Sequence, residues 1–252
     1  MRDSAAPDQS DFQSLARRLR GVKDVALRVG GLRAALMELD GTGLHTFVAD
    51  AFSGVAQGDP AAHDVLAALG HALEASEWDG LRARAALSAR LRGDGLVASY
   101  LVPQAEATPE GAPLSVPDFG AGRPLTLGER KSVARGRDPN LIARVLRDPD
   151  PAVIAILLGN PSLVEAHVVR LAARRPVNPA VLREVFRSLR WSTRQAVRLA
   201  LVQNPWCPLE VGVRLVPLLT VAERRSVARS GEIPAQVRRL CTDLSLSLAG
   251  PA

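Results

Sequence analysis

The chain matches itself. Residues 152–171, AVIAILLGNPSLVEAHVVRL, align without gaps on residues 196–215, AVRLALVQNPWCPLEVGVRL, at an offset of 44, with eight of 20 positions identical. The identities include the junctions Asn160-Pro161 and Asn204-Pro205, the apolar pairs Val153/Val197 and Leu157/Leu201, and Arg170/Arg214. A second self-match sets LTLGERKSVAR, residues 125–135, on LTVAERRSVAR, residues 219–229, with eight of 11 identical at an offset of 94, about twice the first. A period of roughly 40–47 residues holds two or three helices, and such a unit cannot bury its apolar face alone. Neighbouring units must stack, which predicts a solenoid.

Composition agrees with helices. Apolar residues make up 47% and aromatics only 4%. The apolar set is mostly Ala, Leu and Val, and Ala and Leu are strong helix formers. A β-sandwich or barrel of this length usually carries more Ile, Thr, Tyr and Phe. Thr126-x-x-Glu129, Ser192-x-x-Gln195 and Thr220-x-x-Glu223 fit the capping box, in which the two side chains satisfy each other's free backbone donors. Asp138-Pro139, Asp150-Pro151, Asn160-Pro161, Asn178-Pro179 and Asn204-Pro205 read as helix starts, the Asx side chain capping and Pro presetting the first helical φ. Upstream, Ser10 is a candidate cap for a helix with Phe12, Leu15 and Leu19 on one face, and Asp59-Pro60 opens another. LVASYLV, residues 96–102, suits a strand or a helix. Residues 103–124, with five Pro and three Gly, read as a linker or long surface loop. The expected organisation is an acidic helical region over 1–102, this linker, and a basic helical-repeat domain over 125–248.

The Asn-Pro junction followed by a Leu/Val-rich helix resembles bacterial α-helical repeat proteins of the HEAT/armadillo-like and leucine-rich-repeat-variant-like groups, over residues 125–245. The resemblance implies an all-α fold, an N-terminal helical bundle followed by a short HEAT-like α-solenoid. Scaffolds of this kind serve mainly as binding surfaces for proteins or nucleic acid. The resemblance carries over no catalytic residue, and the cysteine cluster that holds an iron–sulfur centre in some variant-repeat proteins is missing here.

Charge supplies the functional lead. Residues 1–120 carry 11 Lys and Arg against 16 Asp and Glu, whereas residues 121–252 carry 21 against 10. Arginines at i, i+4 share a helix face; such pairs are Arg170/Arg174, Arg183/Arg187 and Arg194/Arg198. With Arg190 and Arg214 they form the candidate cationic surface for an acidic partner segment. The bland alternative is a solvated face, with some arginines bonding helix C-terminal carbonyls. A GC-rich genome also favours arginine, and only Lys23 and Lys131 are lysine. Phosphate-backbone contact with nucleic acid is the second functional reading, although the scarcity of aromatics argues against stacking on single strands.

Other chemistry finds little support. His63 and His71 lie on one predicted helix without the HExxH spacing of a zinc protease. His45 and His167 read as packing or surface residues. Cys207 and Cys241 cannot build a disulfide framework or a four-cysteine zinc site and read as buried thiols. Trp78, Trp191 and Trp206 read as packing plugs near helix starts. No metal, cofactor or small-molecule substrate is expected, nor an enzymatic activity. No apolar run reaches the roughly 20 residues of a membrane span, the N-terminus lacks a signal-peptide core, and the expected location is cytoplasmic.

Overall fold

Short-range chemistry sets most helix starts. In the computed structural model, which describes residues 14–15, 17–19, 22–106, 109 and 114–247, every regular element is helical. Asp24, Asp40, Asp59 and Asp94 cap α1 (Val25–Leu36), α2 (Gly41–Ala56), α3 (Pro60–Ala72) and α5 (Gly95–Leu101) by accepting from backbone N–H groups of the first turn. LVASYLV therefore joins the helices, with Asp94 at its start. α4 (Asp79–Leu91) ends as its sequence suggests, with Gly93 at φ 75° just beyond it. Leu15 and Leu19 are buried, while Ser10 and Phe12 lie outside the described residues.

Downstream, Thr126 and Thr220 close full capping boxes with Glu129 and Glu223 at α6 (Leu127–Val133) and α14 (Val221–Ala228). Asp138, Asp150 and Asn178 cap α7 (Pro139–Val145), α8 (Pro151–Leu158) and α10 (Pro179–Arg187), each with Pro in the first turn. The remaining helices are α9 (Glu165–Ala173), α11 (Leu189–Ser192), α12 (Gln195–Val202), α13 (Leu209–Leu215) and α15 (Ala235–Ser247).

Two of the expected starts are corrected. Asn160 and Asn204 do not cap helices; each is followed by a turn, and α9 and α13 begin only at Glu165 and Leu209. Their side-chain oxygens accept from Ser162 N (2.8 Å) and Trp206 N (3.0 Å), closing Asx turns. The third correction concerns Ser192 and Gln195. Ser192 ends α11, and Arg194 stands at the start of α12 with no side-chain cap.

The chain divides into two compact units, residues 1–106 with 212–252, and residues 107–211. This division differs from the acidic and basic segments of the sequence, because the last third of the basic segment joins the acidic helices. In the first unit α2 packs on α4 and α3, α1 on α3, α5 on α4, and α14 on α15. Leu32, Leu44, Leu66, Leu69, Tyr100, Val216 and Leu240 are buried there. Close approach needs glycine at two places. A Cβ on Gly41 would lie 2.7 Å from Arg84 Cβ, and one on Gly54 2.6 Å from Ala62 Cβ. Salt bridging adds Arg214 Nη1 to Glu74 Oε2 at 2.5 Å, with both side chains nearly covered.

In the second unit α8 packs on α10, α6 on α8, and α9 on α12. Val153, Ile154, Leu157 and Leu158 of α8 are buried, as are Val181, Leu182, Val185 and Phe186 of α10. Each such side chain contributes roughly 1.5–3 kcal/mol by leaving water. The two self-matching asparagines sit within this core. Asn160 Nδ2 donates to Ala134 O (2.9 Å) and Gly136 O (2.7 Å). Asn204 Nδ2 donates to Ala172 O (2.7 Å) and Arg174 O (2.9 Å). In both copies the carboxamide nitrogen satisfies two carbonyls at the end of an earlier helix, while its oxygen closes a turn that does not run on into a helix.

Candidate anion-binding surface

The formal charge of the two units is unequal. Residues 107–211 hold 15 Lys and Arg against nine Asp and Glu, which is the whole net +6 of the chain. Residues 1–106 with 212–252 hold 17 of each and are neutral. The net positive charge therefore resides in the 107–211 unit.

The eight candidate arginines separate by what they touch. Arg214 belongs to the neutral unit and is 3% exposed; it donates to Glu74 and to Leu73 O (3.2 Å). Burial lowers its pKa, and Glu74 and Tyr100 oppose that shift. It presents no cation to a partner. Arg183 meets Glu210 at 3.3 Å and Arg187 meets Glu184 at 2.8 Å. Arg190 donates to Asn160 O (3.1 Å) and Leu163 O (3.3 Å) and lies 4.3 Å over the Trp191 ring, a cation–π contact. Arg198 donates to Ser192 O at 2.7 Å. These last two bond the carbonyls that follow α8 and end α11, the role expected of arginine at a helix C-terminus.

Arg170, Arg174 and Arg194 complete the set. Arg170 is exposed and returns a hydrogen bond to Ala166 O at 3.2 Å. Arg194 is exposed at the start of α12. Arg174 ends α9 and is half-buried; burial first, and then the nearby Arg147, lower its pKa. Arg135, Arg137 and Arg147, exposed residues that helix-face spacing passed over, join this group. None of these six is paired with a carboxylate among the described residues. Their common signal was available: most stand in the short connections just after a helix end, where face periodicity says nothing.

Several acidic side chains of the unit are already engaged. Arg130 Nη1 meets Asp148 Oδ1 at 2.5 Å, deep inside, and Asp150 Oδ2 lies 4.0 Å from Arg130 Nη2. Glu129 accepts from Arg123 and Thr126, which hold its carboxyl down at about 2.

The histidines, tryptophans and cysteines have the following surroundings. His45, buried in α2, lies 3.2 Å by Nδ1 from Ser88 Oγ and 3.3 Å by Nε2 from Asp94 Oδ2. Ser88 sits inside α4, where neighbouring N–H groups serve the helix, so no donors converge on an oxyanion beside it. Asp94 also caps α5. The three side chains tie α2 and α4 to the start of α5. His63 and His71 both lie on α3, and Trp191 donates from Nε1 to Leu158 O at 2.8 Å. Cys207 and Cys241 are buried free thiols; burial pushes both up, Cys241 to about 12. Among the described residues no group of three or more His, Cys, Asp and Glu is placed to hold a metal ion, and no helix is long and apolar enough to cross a membrane.

No protein-family model, curated protein or solved structure matches the chain.

Proposed function

We propose that the chain is a non-enzymatic interaction scaffold whose 107–211 unit binds an acidic segment of a partner protein. In this reading residues 125–245 are a HEAT-like helical repeat following an N-terminal bundle. The self-match supports the repeat, because Asn160 and Asn204 make the same pair of carbonyl contacts at an offset of 44 residues. One observation carries the binding role: the +6 unit keeps Arg135, Arg137, Arg147, Arg170, Arg174 and Arg194 without carboxylate partners among the described residues, while its buried Asp148 and its Glu129 already have theirs. Unpaired guanidinium groups are strong, directional donors for carboxylate or phosphate oxygens. The surface is thus distributed over helix ends instead of running along one helix face.

Titrating the full chain with a labelled Asp/Glu-rich peptide of about 15 residues tests this by fluorescence anisotropy. Binding should weaken steeply as salt rises from about 50 to 200 mM, since exposed charges are screened over roughly 10 Å at 0.1 M. Replacing Arg137 and Arg194 together by Glu should weaken it by about tenfold or more. No binding at low salt removes the reading. A gel shift of duplex DNA without peptide binding replaces it by phosphate-backbone recognition, which is strongest at low salt.

A further inference from the structure

We propose that Arg147 and Arg174 form a clamp for a phosphate monoester, carried on a phosphorylated Ser or Thr of the acidic partner. This rests on the scaffold reading above and names the chemistry of one site within it.

Both arginines stand on short connections pinned by buried or half-buried asparagines. Arg147 follows α7, and two residues on, Pro149 O accepts from Asn178 Nδ2 at 2.9 Å. Arg174 follows α9, and its own carbonyl accepts from Asn204 Nδ2 at 2.9 Å. The contact between Asn178 and Pro149 draws the connection after α7 to the one after α9, and the packing of α8 on α10 holds both. The two arginines therefore stand on adjacent connections, and Arg147 adds to burial in disfavouring the charged form of Arg174. Both stand at helix C-terminal ends, where the free carbonyls favour a cation.

No ion pair joins either arginine to a carboxylate among the described residues: Asp138 caps α7, and Glu165 makes no ion pair with either. Asp148 is turned inward onto Arg130, Asp150 caps α8 and faces the same arginine, and Glu184 and Glu210 meet Arg187 and Arg183. Two guanidinium groups, one of them half-desolvated, are left without a carboxylate. A carboxylate would neutralise one of them. A phosphate monoester carries about −1.5 to −2 charge at pH 7 and three acceptor oxygens, and so matches both. Desolvation strengthens the match, because charge-assisted hydrogen bonds gain as water is excluded.

The test compares two labelled Glu-rich peptides that differ only in a central Ser or phosphoserine, bound to the full chain and followed by anisotropy. The phosphate should tighten binding by about tenfold or more. In the double variant Arg147→Gln with Arg174→Gln the two peptides should bind alike, whatever their common affinity, and in Arg194→Gln the gap should persist. Thermal melts check folding; if the double variant does not fold, Arg147→Gln alone and Arg174→Lys serve, each narrowing the gap. Titration with inorganic phosphate, read on the arginine Nε–H resonances, should shift Arg147 and Arg174 first. Equal affinity of the two peptides for the unmodified chain, or a gap that survives the double variant, overturns the clamp and leaves the scaffold reading standing. If neither peptide binds while those two resonances still respond to phosphate, the scaffold reading falls and with it the clamp as a site for a phosphorylated partner. If nothing binds and nothing shifts, both fall.

Discussion

Residues 126–130 and 220–224 share the pattern Thr-x-x-Glu-Arg and the same local structure, yet their arginines have different partners. Thr126 and Thr220 each accept from the Glu N–H at 3.3 Å, and each Glu accepts from the Thr hydroxyl at 2.9 Å. The following arginine is buried in both copies, 9% exposed at Arg130 and 2% at Arg224. In the 107–211 unit Arg130 meets the buried carboxylate of Asp148. In the other unit Arg224 donates to Leu219 O at 2.9 Å and Pro217 O at 3.5 Å. In both, Nε is left without a hydrogen-bond partner. A cap is closed by atoms three residues apart and travels with the repeat. A buried guanidinium takes whatever acceptors the surrounding fold supplies, and the residue 94 positions after Asp148 is Thr242.

The largest effect should therefore appear in one copy only. Asp148→Ala leaves Arg130 buried without its counter-charge and should cost about 3–5 kcal/mol in denaturant unfolding. The double change Arg130→Leu with Asp148→Leu should recover most of that loss, since well-packed apolar residues often replace a buried ion pair at little cost. If Asp148→Ala costs under about 1 kcal/mol, the pair is not desolvated as the contrast requires. Arg224→Ala, which frees carbonyls and no carboxylate, should cost about 1–3 kcal/mol, less than Asp148→Ala.

The asparagine copies sharpen the comparison from the opposite side, because their partners are the same kind of group. Asn160→Ala and Asn204→Ala should each cost about 2 kcal/mol, within about 1 kcal/mol of each other. A large inequality would mean that the two carbonyl clamps are not equivalent. Smaller and equal again, Thr126→Ala and Thr220→Ala should each cost roughly 1 kcal/mol.

The smallest effect is a titration. Glu129 is held at about 2, below its ordinary 4.5, by hydrogen bonds from Arg123 and Thr126. A carboxyl depressed on folding contributes stability above its unfolded pKa and loses it as pH falls through the folded value. That contribution should fade between about pH 4.5 and about pH 2. Carboxyl NMR resonances report the midpoint, and Arg123→Ala should move it upward.

Much of the fold was legible because its causes are local. Asp-Pro and Thr-x-x-Glu announce helix starts through atoms two or three residues apart, and Gly93 ends α4 by its own backbone freedom. Asn160 and Asn204 misled for the converse reason. An Asn before Pro looks like a cap, but here its oxygen closes a turn short of the next helix while its nitrogen binds carbonyls 24 to 32 residues earlier. The candidate surface was read on helix faces, and Arg183, Arg187 and Arg190 proved to be occupied. The arginines left without carboxylates stand mostly in connections, where spacing is silent.

The sequence by itself determined the helical class, most caps, and the recurrence of two junctions, because these depend on short-range donors, acceptors and propensity. Tertiary structure alone decided that residues 212–252 join the first 106, that Gly41 and Gly54 permit close helix contacts, and that Arg214 is buried on Glu74. It also decided which arginines keep an open charge. Burial, and pairs such as Arg214 with Glu74, depend on groups that meet only when distant segments pack, and no short window along the chain contains both partners.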